Sequence, residues 1–185
     1  KIPTISIIIP VYNVEKYIKE TLISVKDQIS KPDEVIIIND GSTDNSFKIV
    51  KDLTESDSWK IFQTENQGLG LTRNYGKSVA KGDYIYFLDS DDILENNLIY
   101  EMRNLIHIYN EPDVILFSGK TFSSNEIKHN KINLKFSING QYFQRDRLLT
   151  DLVRKKETLP QAGRYLTKKS LWNDNNILYP AGIAE

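Results

Sequence analysis

The chain opens with a repeating alternation of two hydrophobic patterns. "ISIII", residues 5 to 9, is a continuous apolar run with β-branched side chains, the mark of a strand covered on both faces. After it Val14, Tyr17, Ile18, Leu22, Val25 and Ile29 recur at helical spacing, which predicts an amphipathic helix. "EVIIIN" (34 to 39) repeats the buried-strand pattern, and a helix carrying Phe47, Val50 and Leu53 follows, with Asp44 and Ser46 as capping candidates. "WKIFQ" (59 to 63) reads as a third, edge-like strand, residues 70 to 80 as a helix, and "YIYFLD" (84 to 89) as a fourth strand. A helix over about 97 to 109 leads into "DVILFS" (113 to 118).

Strands buried on both faces and joined by helices of this length call for a mostly parallel sheet with right-handed crossovers, that is, a doubly wound α/β domain with helices on both faces. Past residue 118 the rhythm is lost in a polar, Asn-rich stretch. There we expect a hairpin or an ordered insertion, a short helix around 145 to 155, and a strand near "GRYLTKKSL" returning to the sheet. The end, "LYPAGIAE", lacks a terminal helix or tail signal, and the chain is expected to continue beyond it.

At 185 residues one domain with a substantial core is the default. The 24 basic and 25 acidic side chains leave no global field to draw nucleic acid or anionic lipid, so any anionic partner must be held locally. The chain has no Cys, which removes disulfides and thiolate metal sites from consideration. His107 and His129 lack ligand spacing.

In open α/β sheets ligands bind outside the carboxyl ends of the strands, near the point where strand order reverses. Three unusual polar stretches fall at such ends. After the fourth strand comes "DSDD" (89 to 92), whose Asp89 and Asp91 are one residue apart and can face one hard cation, manganese or magnesium, which keeps waters and binds a diphosphate as well. Taken alone, a D-x-D is better suited to a solvated loop in which Asp92 caps the next helix. After the second strand comes "NDGSTD" (39 to 44), where Asp40 can accept the ring N–H of a base while Gly41 serves a tight turn. After the first comes "PVYN" (10 to 13): Pro10 to stop the ladder, Tyr12 for stacking and Asn13 for amide hydrogen bonds, or simply a Pro-terminated strand and a turn. Three such stretches on adjoining strands are a stronger signal than any one.

"ENQGLGLTRNYG" (65 to 76) is a fourth candidate. Its Gly68 and Gly70 do not complete G-x-G-x-x-G, because Arg73 stands where the third glycine would fall. A glycine turn entering a helix with Arg73 on its first turns still suits a phosphate-bearing ligand.

In order along the chain, "SIIIPVYNVEKYIKETLISV", "PDEVIIINDGSTDNS", "NQGLGLTRNYG", "GDYIYFLDSDD" and "NNILYPAGIAE" resemble the motifs of family-two inverting glycosyltransferases with the GT-A fold. The resemblance implies a nucleotide-sugar donor, UDP as the nucleotide, and a divalent cation as cofactor. It places donor binding on Pro10, Tyr12, Asn13, Asp40, Arg73, Asp89 and Ser90, the metal on Asp89 and Asp91, and the catalytic base on Glu185. The segment matching the family's nucleotide-contacting "A-R-N" reads Thr72, Arg73, Asn74, departing at its first residue. Residues 1 to 118 would form the nucleotide-sugar-binding half and 119 to 185 the acceptor-side half. The implied acceptor is a glycan or a lipid- or protein-linked hydroxyl, and the implied location is the cytoplasm, at the inner face of the membrane. A haloacid-dehalogenase-type phosphatase carries D-x-D at its first strand, and a nucleotidyltransferase wants a Gly-rich basic loop after that strand; "PVYNVEKY" is neither. A non-catalytic nucleotide-sugar-binding module remains the third alternative.

Overall fold

The computed structural model describes residues 2–116 and 162–181. Its six strands are β1 (Ile5–Val11), β2 (Glu34–Asp40), β3 (Lys60–Thr64), β4 (Tyr84–Phe87), β5 (Val114–Leu116) and β6 (Tyr165–Lys168). The helices are α1 (Ile18–Lys26), α2 (Ser46–Thr54), α3 (Leu69–Val79), α4 (Leu98–Ile108) and α5 (Lys169–Asp174), with a 3-10 turn at Ala162–Arg164. The strands form one sheet in the order β3-β2-β1-β4-β6-β5, parallel except for β6, which runs antiparallel to both its neighbours. The expected strand near "GRYLTKKSL" is therefore present as β6, and α5 directly after it was not anticipated. The expected helix at 145 to 155 lies outside the described residues.

Alternate side chains of the central strands feed two cores. Ile5, Ile7, Ile9 and Val11 pack with α1, α2 and α4, whereas Ile8, Ile36, Ile38 and Phe87 pack with α3 and α5. This double covering is why those strands read as unbroken apolar runs. Gly76 lets α3 lie close on its face, since a Cβ there would come within 2.4 Å of Ile8 Cγ2.

Two local expectations need correction. Pro10 does not stop the ladder: β1 runs on to Val11, with Pro10 in register with Ile38. Leu88 N–H donates to the Ile8 carbonyl, so even-numbered residues of β1 face β4, and β4 pairs only as far as Phe87 opposite Ile8. The missing N–H of Pro10 thus points to the side where pairing has already ended. Tyr17 and Ile29, counted on the apolar face of the first helix, are 48% and 69% exposed because the helix spans only Ile18–Lys26.

Chain order moves outward from β1 to β2 to β3, then jumps back across β1 to β4. The reversal opens a crevice between the carboxyl ends of β1 and β4, the usual ligand position in such sheets.

Candidate active site at the strand-order switch

The three strand-end stretches border this crevice, and hydrogen bonds lock two of them together. Asn13, in the left-handed region at φ 51°, accepts from Thr43 N–H at 2.8 Å through Oδ1, and its own N–H donates to Ser42 Oγ. Val14 N–H donates to Ser46 Oγ, and Glu15 N–H to Asp44. Asp44 also accepts from Ser46 N–H, while the N-cap of α2, Asn45, makes no capping side-chain bond. Tyr12, 48% exposed, stands free of this lattice as an open aromatic face.

Asp40 ends β2 and is almost fully buried. Its Oδ1 accepts from Thr64 Oγ1 at 3.0 Å and Gln67 N–H at 3.1 Å, and Oδ2 from Gly68 N–H at 3.0 Å. A carboxylate offers about four acceptor sites, so these bonds fix the glycine turn before α3 and still leave capacity on Oδ2. Gly68, at φ 89°, adopts a conformation that other residues reach only with strain.

From that turn α3 delivers Arg73 into the protein, 1% exposed, where Nη2 donates to Asp89 Oδ1 at 2.7 Å. The flanking residues turn elsewhere: Thr72 Oγ1 bonds the Gly68 carbonyl, and Asn74 pairs with the backbone of Tyr179.

The "DSDD" loop is held from below by a polar stripe on α1 and the residues just after it that hydrophobic periodicity did not reveal. Thr21 Oγ1 donates to the Ser90 carbonyl, Ser24 Oγ accepts from Leu94 N–H, and Gln28 bonds Glu95 O and Ile99 N–H. Ser90 is buried while Asp91 projects into solvent. Partial desolvation, reinforced by the charges of Asp89 and Asp91, raises the Asp92 carboxyl to about 6, against the pull of Arg164. Burial, with the charges of Asp92 and Asp89 behind it, pushes the Tyr86 hydroxyl above its ordinary range, and that hydroxyl donates to the Gly163 carbonyl at 3.0 Å.

Among the described residues no group of three or more His, Asp or Glu side chains is gathered as a metal cage. The acidic loop nevertheless fits a cation that takes only one or two protein carboxylates. The spot a Gly163 Cβ would fill lies 3.1 Å from Asp92 Oδ2 and 4.0 Å from Asp89 Oδ2, and the charges of Asp89 and exposed Asp91 both act on Asp92, so three mutually repelling carboxylates crowd one loop. Glu185 lies outside the described residues.

Sequence reading gave Tyr179 no role of its own. Tyr179 packs edge-on against Phe87 with centroids 5.5 Å apart, stacks obliquely on Trp172 at 5.6 Å, and lies 5.2 Å from the Arg73 guanidinium.

Comparison with known proteins bears on the family and the fold. The model of glycosyl transferase family 2 matches residues 6–161. An uncharacterized glycosyltransferase of Haemophilus influenzae is 43% identical over 106 residues, covering 56% of this chain and 42% of that protein. The structure of S. aureus TarS 1-349 in complex with UDP-GlcNAc superposes with a TM-score of 0.74 at 27% identity, over 97% of this chain and 49% of that one. The mannosyltransferase PcManGT of Pyrobaculum calidifontis, solved with GDP-Man and Mn2+, shares the fold with a TM-score of 0.64 at 17% identity, over 95% of this chain and 47% of that one. The chain spans about half or less of the length of these relatives.

Proposed function

The chain belongs to glycosyl transferase family 2 and has its GT-A fold, and from that premise we propose that it transfers a sugar from a UDP-sugar to an acceptor hydroxyl, with inversion, in bacterial polysaccharide or glycoconjugate synthesis. The observation that carries this reading is the convergence on one crevice of exposed Tyr12, buried Asp40, the Arg73–Asp89 pair and the acidic loop. The UDP-GlcNAc bound by TarS supports the choice of nucleotide. Residues 1–118 take the donor and 119–185 the acceptor.

In this mechanism Tyr12 stacks on the base and Asp40 accepts its ring N–H through the acceptor capacity left on Oδ2. Pro10, Asn13 and Ser90 shape the pocket around the nucleoside. Arg73 holds Asp89 toward the ribose and diphosphate end. Asp89 and Asp91 would hold manganese or magnesium, which when bound neutralises charge growing on the diphosphate. Glu185 removes the proton from the acceptor hydroxyl, whose oxygen bonds the anomeric carbon from the face opposite the diphosphate. The carbon–oxygen bond to the diphosphate breaks, its electron pair leaves with UDP, and the configuration inverts.

Among the described residues no helix is long and apolar enough to cross a membrane. The family resemblance is the ground on which we place the enzyme in the cytoplasm, working at the inner membrane face on a glycan, lipid-linked or protein-linked acceptor. The test is incubation with a panel of nucleotide-sugars and manganese, following release of nucleoside diphosphate. Acceptor-dependent release from a UDP-sugar is expected. Binding without release from any donor would mark a non-catalytic binding module, and pyrophosphate release from a nucleoside triphosphate a nucleotidyltransferase.

A further inference from the structure

We propose that Asn74 is a positioning residue: it seats the strap of residues 177–181 along α3, and the seated strap holds Arg73 on Asp89. The proposal rests on the transferase reading for its kinetic consequence but not for its geometry. Asn74 Nδ2 donates to the Tyr179 carbonyl at 2.9 Å, and Tyr179 N–H donates back to Asn74 Oδ1 at 2.9 Å. Only a side-chain amide offers donor and acceptor side by side; a carboxylate has no donor and a hydroxyl cannot span both groups.

Two further residues of α3 receive the same strap. One turn on, Lys77 Nζ donates to the Ile177 carbonyl at 2.8 Å while lying 5.5 Å from the Trp172 ring. One turn back, Gly70 leaves room for the Pro180 carbonyl, from which a Cβ would be only 2.6 Å away. Positions 70, 74 and 77 form one stripe of the helix. The strap meets them in reverse order, so its path is fixed at three points.

What the path fixes is Tyr179. Its hydroxyl shares a 2.9 Å hydrogen bond with that of Tyr165, and its ring closes over the buried Arg73 guanidinium, whose Nη2 reaches Asp89. Both hydrogen bonds of the Asn74 amide with Tyr179 run to the strap, which makes seating the strap the role its geometry supports. The chain of contacts runs from Asn74 through Tyr179 and Arg73 to the carboxylate at the end of β4, coupling the segment that leads toward Glu185 to the donor side.

Asn74→Ala and, independently, Gly70→Ala should therefore lower kcat with a UDP-sugar by about ten-fold or more, since misplacement by about 1 Å can cost 10²-fold. The KM for the donor and the Kd for UDP should stay within about two-fold, a split that loss of a ground-state contact does not produce. In a Trp59→Phe background Trp172 emission should shift to the red as Tyr179 leaves it. Asn74→Asp, keeping only the acceptor, should fall between, and with Gly70→Ala it carries the test if Asn74→Ala does not fold. Unchanged kcat in variants with shifted emission would overturn the proposal, as would unshifted emission in both. Loss of UDP affinity in step with kcat would make Asn74 a nucleotide contact and overturn it too. If the unaltered protein releases UDP from no donor, the transferase reading fails by itself, and the emission and UDP affinity of the variants still decide whether Asn74 seats the strap.

Discussion

Replacing Gly76 by Ala tests how the site is built, because α3 can present Arg73 to Asp89 only if it lies close on the sheet. A Cβ at Gly76 would sit 2.4 Å from Ile8 Cγ2 and 2.8 Å from Ile38 Cδ1, both on fully buried residues in the middle of the sheet. Carbon atoms rest at about 3.5–4.0 Å, so helix and sheet must separate by about 1 Å. Overpacking of this kind costs about 1–3 kcal/mol. Ala returns up to about 1 kcal/mol over Gly within a helix. The contacts fall on stiff branched side chains, and a net loss of about 1–2 kcal/mol is expected. In urea the unfolding midpoint should fall by about 0.5–1 M with the slope unchanged. Arg73 lies less than one turn before Gly76, so the same lift stretches its 2.7 Å bond to Asp89, and kcat with a UDP-sugar should fall. A midpoint equal to or above that of the unaltered protein, with kcat intact, would refute the reasoning.

Asp40→Ala should weaken UDP binding while leaving its dependence on manganese intact, as titrations with and without the cation would reveal; loss of the dependence would move Asp40 to the metal. It should also lower stability by about 1–3 kcal/mol in denaturant melts, because Gln67 and Gly68 N–H lose their acceptor. Glu34, at the amino end of β2, carries a pH-dependent contribution. Burial works to raise its carboxyl, but bonds from Lys60, Lys81 N–H and Ser6 outweigh it and leave it below the ordinary 4.5. A depressed carboxylate stabilises the fold fully above that value and loses the contribution as pH falls through its folded value. Glu34→Gln should thus cost on the order of 1.5–3 kcal/mol at pH 7, and in melts across a pH series the gap should narrow as pH falls through the depressed folded value of Glu34.

The parts of this architecture visible in the sequence are those set by patterns within a few residues. The runs at 5–9, 34–39 and 84–87 announced buried strands because both faces of the sheet are covered, and the motifs after them fell at the crevice because parallel topology gathers strand ends. Contacts made across the chain were not legible. Asn74 meets Tyr179 across 105 positions, and nothing local distinguishes it from an exposed helical Asn. Thr21, Ser24 and Gln28 fall outside the apolar spacing read for the first helix, yet they are buried as the seat of the acidic loop. The bonds that Asp40 accepts from Thr64, Gln67 and Gly68 were not legible either, because these partners lie at the end of β3 and on the loop after it. Pro10 misled because its effect on a ladder depends on which neighbour its nitrogen faces.

The central claim is that the carboxyl ends of β1, β2 and β4 form a cation-dependent site for a nucleoside diphosphate. Its most direct test is calorimetric titration of UDP into the unaltered protein and Asp91→Asn, each with and without manganese. The account predicts that manganese strengthens binding to the unaltered protein and that Asp91→Asn loses about ten-fold or more of the manganese-dependent affinity, at least about 1.4 kcal/mol, with cation-free affinity little changed. Equal manganese-dependent affinity in the two proteins would contradict it.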